Sequence, residues 1–245
     1  PLAEAALEHG LRPVFPALAP GGDYWDLAFL KASLLSLQRR SKKALLENLV
    51  LGCEAWAGNR PLDWGAGGPE RWPQSRPYYT PAGSQDQRGF YIFDWYLATS
   101  QAALGKPLPV LILRGGSLLG DQTDASLPAV DEAAHAERNL ALIQPLAGPP
   151  KPPAAGDTPA SAPGVPAPSV IGSNATIDAN SVIGANAVIG ANAVIGANAV
   201  IGACFWLLTA AGGPHASQAW FRPNGDRLPA VEAVRQWVSG QGALA

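Results

Sequence analysis

From Ile171 the chain repeats every six residues: IGSNAT, IDANSV, IGANAV, IGANAV and IGANAV fill 171–200, and IGA closes the run at 203. A strict short period places every sixth side chain in an equivalent position, the pattern of like coils stacked on one another. Each unit has Ile first, Gly or Asp second, Asn fourth and Ala or Ser fifth. Ile is the side chain that gains most from burial, whereas Gly and Asn adopt the left-handed backbone of tight corners at low cost. Residues 169–203 contain no His, Cys, Glu, Lys or Arg, and Asp178 is their single ionisable group.

The residues before the run, AGPPKPPAAGDTPASAPGVPAP over 147–168, are mostly Pro, Ala and Gly. They offer too little apolar side chain to offset their ordering entropy and favour extended conformers. Composition therefore divides the chain into a mixed region at 1–146, a linker at 147–168, the repeat at 169–203 and a mixed region at 204–245.

The run resembles the hexapeptide repeat of left-handed parallel β-helix proteins. The resemblance implies three hexapeptides per triangular coil, with each Ile stacked on an Ile one coil away. Five units then give fewer than two coils, and a solenoid needs roughly three or more stacked repeats for stability. The stub is expected to need support from outside itself. Hexapeptide acyltransferases and zinc carbonic anhydrases of this kind need histidines at or near coil edges. The absence of His from the repeat disfavours both and predicts an inert spacer or stacking element. An ice-binding face would need a ladder of threonines, and only Thr176 is present.

The chain has 245 residues, a formal net charge of −2 and 47% apolar residues, enough for a sizeable core. The near-zero charge gives no electrostatic footprint for nucleic acid or anionic membrane. No apolar stretch reaches the length of a membrane span, and no secretory signal is visible at the start. The absence of methionine and the opening at Pro1 within a helical pattern predict a processed product or a piece of a longer protein. Cys53 and Cys204 are too few for a disulfide framework and are expected in the core. No CxxC, HxxxH, HExxH, GxGxxG, GxxxxGK[ST] or GxSxG motif occurs, so no cofactor and no metal are expected.

Outside the linker and repeat, apolar runs alternate with amphipathic segments. Helices are predicted over 2–9, 24–43 (Asp23 as N-cap; Trp25, Phe29, Leu30, Leu34 and Leu37 on the apolar face), 85–104, 131–146 and 228–238. Strands are predicted over 11–18, 48–56, 108–113 and 203–209. The alternation predicts an α/β fold with a parallel sheet covered on both faces. The favoured architecture is the C-terminal half of a (β/α)8 barrel, with the linker and a short left-handed β-helix stub inserted between the third and fourth βα units. A small four-stranded open α/β domain is the runner-up.

Ligands of parallel α/β sheets sit at the carboxyl ends of the strands. The loop after the second strand offers Trp56, Trp64 and Trp72 beside Asn59, Arg60, Asp63, Glu70 and Arg71, and the loop after the last strand adds His215, Gln218 and Trp220. Flat rings beside polar donors suit stacking and hydrogen bonding of a pyranose, which predicts an oligosaccharide or polysaccharide partner. Packing of these rings beneath the loops is the competing reading. Glu54 ends the second strand next to Trp56, where a carboxyl group is a candidate general acid or base.

The phrases GCEAW (52–56) and FWLLTAAGGPHASQAWF (205–221) resemble strand ends of (β/α)8 glycoside hydrolases. The resemblance implies a glycosidase with Glu54 as acid/base and Trp56, Trp64, Trp72 and Trp220 as sugar platforms. Such enzymes need a second carboxylate. The third strand ends instead with Arg114, which would bind substrate or pair with Glu54. A structural carboxylate paired with Arg114 or Arg60 is the competing role for Glu54.

Overall fold

A computed structural model describes residues 2–147, 199–206, 216–222 and 224–240. Most of the linker and repeat, and His215, lie outside the described residues.

Among the described residues four strands form one sheet in sequence order, β1 (Val14–Phe15), β2 (Val50–Trp56), β3 (Val110–Gly116) and β4 (Val200–Phe205). Every neighbouring pair is parallel. α1 (Leu2–Glu8) precedes them, α2 (Asp26–Arg39), α3 (Lys43–Asn48), α4 (Gly68–Arg71), α5 (Ile92–Leu104) and α6 (Glu132–Ala147) run between them, and α7 (Pro229–Val238) follows β4. The strand after the linker and repeat therefore pairs with the strand before them, Val110 facing Val200. β4 starts at Val200 rather than at 203, so its first residues belong to the last hexapeptides.

The core lies between the sheet and its helices. Leu51, Cys53 and Ala55 of β2 and Val110 and Ile112 of β3 meet Leu30 and Leu34 of α2 and Phe93, Tyr96 and Leu97 of α5. Phe205 of β4 packs against the same cluster. Strand residues alternate between faces, and on the opposite face Val14, Leu113 and Ile201 are 40%, 37% and 54% exposed. Cover on both faces was the expectation; the described helices pack on one. A second buried cluster joins Ala136 of α6 to Trp220, Leu228 and Ala230.

Several boundaries differ from the sequence reading, each for a local reason. The helix predicted over 24–43 stops at Arg39, Ser41 takes φ +54°, and α3 restarts at Lys43. Trp25 rather than Asp23 precedes the first turn, and Phe29 is exposed while Leu30 and Leu34 are fully buried. α5 begins at Ile92 rather than at 85. Asp86 holds the preceding residues through side-chain bonds that compete with helix formation. Gly89 lies so close to Trp64 that a Cβ would stand 2.4 Å from its carbonyl oxygen. Helix ends otherwise follow ordinary chemistry: Gly105 closes α5 with φ +74°, Asp131 accepts from the Ala134 N–H at 2.8 Å, and Pro229 opens α7. Cys53 is fully buried, whereas Cys204 is exposed, against the expectation of two core cysteines.

Side chains of α6 fasten the carboxyl end of β3. Asn139, fully buried, accepts from the Ser117 N–H (3.0 Å) and donates to the carbonyls of Ser117 (3.1 Å) and His135 (2.8 Å). Gly116, at φ +113°, leaves the room: a Cβ there would stand 2.5 Å from the Asn139 Oδ1. Asn139→Ala strands both backbone groups of Ser117, and urea denaturation should read a loss of about 2–3 kcal/mol.

Two carboxylates pin the long segment between β2 and α5, with opposite electrostatics. Burial acts to raise the Asp86 pKa, but donors from Arg88, Thr80 and Trp64 outweigh it and hold the group at about 2. Burial raises Asp94 to about 7, opposed by one backbone N–H from Gly67 at 2.7 Å. A carboxyl group with a raised folded-state pKa contributes stability that is present below pH ~4 and is lost as pH rises to ~7. Asp94→Asn, which keeps the acceptor, should match the wild type at pH 4 and exceed it at pH 8 in denaturant midpoint. A gap that does not change with pH would sink this assignment.

Candidate functional site

The carboxyl rim of the sheet brings together Glu54, Trp56 and Arg114, with Trp206 just beyond β4. The β2–β3 register shifts after Cys53, which faces Ile112, so that Leu113 is skipped and Glu54 stands beside Arg114. Glu54 accepts an ion-paired hydrogen bond from Arg114 Nη2 through one oxygen. Its other oxygen accepts from Trp56 Nε1 at 3.2 Å. The Glu54 side chain is 13% exposed and that of Arg114 47%. Trp206 joins the group edge-on to Trp56 (centroids 6.5 Å apart, planes at 84°) and lies beneath the Arg114 guanidinium at 5.5 Å. Trp206 was in a predicted strand but not among the predicted site residues. Only pairing of β4 with β3 places it here, and no local motif carries that information.

The other predicted platforms lie elsewhere. Trp64 donates its indole N–H to Asp86 at 3.0 Å, and Arg60 lies over its ring at 4.8 Å. Trp72 donates to the Ala66 carbonyl at 2.9 Å, carries Arg71 over its ring at 5.0 Å and packs against the main core. Both are half-buried with their polar handle spent inside the loop. Trp220 is 7% exposed and packs edge-on to the buried His135, in the second cluster, which Leu119 and Phe205 also join. Burial pulls the His135 pKa down, with Glu132 opposing. His215 lies outside the described residues.

Polar residues of the rim loops are likewise committed. Asn59 donates to the carbonyls of Asp124 (2.8 Å), Pro128 (3.1 Å) and Leu127 (3.2 Å) and accepts from the Asp124 N–H (2.8 Å). Gln218 makes two bonds to the Leu119 backbone. Arg138 of α6 donates to the carbonyls of Gly58 and Arg60 and to the Ser117 hydroxyl. Among the described residues no three His, Cys, Asp or Glu side chains cluster as a metal site would require.

An acid/base role would need a second carboxyl group across a cleft from Glu54. The group beside it is a guanidinium, which gives Glu54 a charge partner and sets the stacking of Arg114 on Trp206. A Glu54→Gln, Arg114→Gln double-mutant cycle should give a coupling of about 1 kcal/mol, shrinking as salt is raised, because half of the Arg114 side chain meets solvent.

Comparison with known proteins adds one match. Residues 168–203 correspond to the family described as bacterial transferase hexapeptide (six repeats). No curated protein and no solved structure matches the chain. The match covers the repeat and ends inside β4, so the chain carries a hexapeptide-repeat segment joined directly to a four-stranded parallel α/β sheet.

Proposed function

We propose that this chain is a non-catalytic interaction protein whose α/β sheet holds a hexapeptide segment for assembly with a second copy of itself. The hexapeptide match at 168–203, running without a break into β4, carries the reading. A segment anchored as a strand at its end has a fixed direction of exit from the sheet. Five units supply fewer than the roughly three coils that a solenoid needs, so a second copy would supply the missing neighbours. Two copies laid end to end would supply ten units, more than three coils at three hexapeptides each.

Catalysis has less support. A transferase of the hexapeptide kind needs a histidine base, and residues 169–203 contain none. The glycoside-hydrolase reading needs a second carboxylate across a cleft from Glu54, and the side chains that Glu54 bonds are Arg114 and Trp56. The finer architecture belongs with this proposal: four parallel strands in sequence order, helices on one face, are what consecutive units of a (β/α)8 barrel present.

Sedimentation velocity of the full chain and of a variant lacking 171–194, four whole units, tests the reading. The full chain should self-associate with concentration, and the deletion variant should stay monomeric with its near-ultraviolet circular dichroism intact. A full chain that remains monomeric at all concentrations, or a deletion variant that still associates, would overturn it.

A further inference from the structure

A cleft of about 180 Å³ opens at the carboxyl rim beside Trp56. Its walls include Trp56, Gly58, Thr123 and two arginines, Arg60 and Arg88, and among the described residues no carboxylate lines it. The two guanidiniums differ in how far their charge is matched. Arg88 spends Nε and Nη2 on Asp86 at 2.9 and 2.5 Å. Arg60 forms no ion pair within contact distance among the described residues, although the Asp124 carboxylate feels its charge: its guanidinium carbon lies 4.8 Å from the Trp64 ring centroid, Nη1 reaches the Arg88 carbonyl at only 3.5 Å, and its buried Nε has no partner among them. An arginine resting over an indole, with donors unspent at a cleft, suits a planar anion. Sulfate and phosphate would use the same charge, but the indole wall of Trp56 favours an anion that also carries a flat or ring-shaped apolar face. Thr123 donates its hydroxyl to Asp121 at 2.6 Å, which leaves its oxygen lone pair to accept from a ligand hydroxyl. Gly58, at φ +59°, keeps this wall low.

We propose that this cleft binds a carboxylate carried on a single ring, with the carboxylate held by Arg60 and Arg88 and the ring against Trp56. The site is independent of the repeat and goes beyond the assembly reading. Two sources share this chemistry, a sugar acid and an aromatic acid. Calorimetric titration of the full chain with glucuronate, benzoate and glucose separates them. At least one acid should bind with a dissociation constant on the order of 1 mM, as one paired carboxylate and one ring allow. Glucose should not bind. Tighter glucuronate assigns the site to sugar acids, tighter benzoate to aromatic acids. Arg60→Gln should weaken the acid by about tenfold or more, Arg60→Lys should recover part of the loss, and added salt should weaken binding in the wild type. In the unmodified protein the bound acid should shift the indole N–H resonance of Trp56 and leave that of the buried Trp220 in place, a readout that needs no variant to fold. Failure of both acids to bind, glucose binding as well as glucuronate, or an unshifted Trp56 resonance would each overturn the site.

Discussion

Where strands β2 and β3 end, their backbone groups lose ladder partners, and side chains of α6 take the ladder's place. Asn139 closes both backbone groups of Ser117, and Arg138 gathers the carbonyls of Gly58 and Arg60 with the Ser117 hydroxyl. Buried backbone groups without partners are expensive, so two adjacent residues on one helix decide how three chain segments meet. The position of Arg60 follows from this bracing, because its own carbonyl is one of the groups held. So does the path of the chain after Trp56. Asn59 extends the brace to the 124–128 segment.

Chemistry at the rim follows from register as much as from residue type. A single skipped residue, Leu113, puts Glu54 beside Arg114 and settles which group the carboxylate faces. The long segment between β2 and α5 shows the same economy. Asp86 gathers donors from an indole, a hydroxyl and a guanidinium, while Asp94 rests on one N–H and stays costly to ionise.

The sheet was legible in the sequence because its strands read as short apolar runs between helical patterns. NLVLGCEAW contains β2, LPVLIL covers the first half of β3, which runs on to Gly116, and helices α1, α6 and α7 fall within about a residue of their predicted bounds. What failed had long-range causes. Asp86 and Gly89 delay α5 through contacts with Trp64, Thr80 and Gly65, none of which a helical periodicity reports. Clustered tryptophans and polar residues suggested a sugar rim. Their partners show that Trp64, Trp72 and Trp220 pack and that Asn59 and Gln218 serve backbone carbonyls. The pairing of Glu54 with Arg114 was readable as an alternative, since both end adjacent strands. Trp206 was not, because its place depends on which strand neighbours β3.

β4 inherits an ambiguity from the repeat that feeds it. Its first four residues, Val200–Ala203, recur identically at 194–197, 188–191 and 182–185. Hydrogen bonding to β3 and the alternation of inward and outward side chains would be the same for all four copies, so neither can tell them apart. Discrimination falls to Cys204 and Phe205, which have Asn198 and Ala199 as their counterparts one unit earlier. Phe205 alone brings a large ring into the core, 6.0 Å from Phe90. One aromatic side chain thus acts as the end-stop of a sliding scale, and the number of hexapeptides upstream is free to drift by whole units without dislodging the strand.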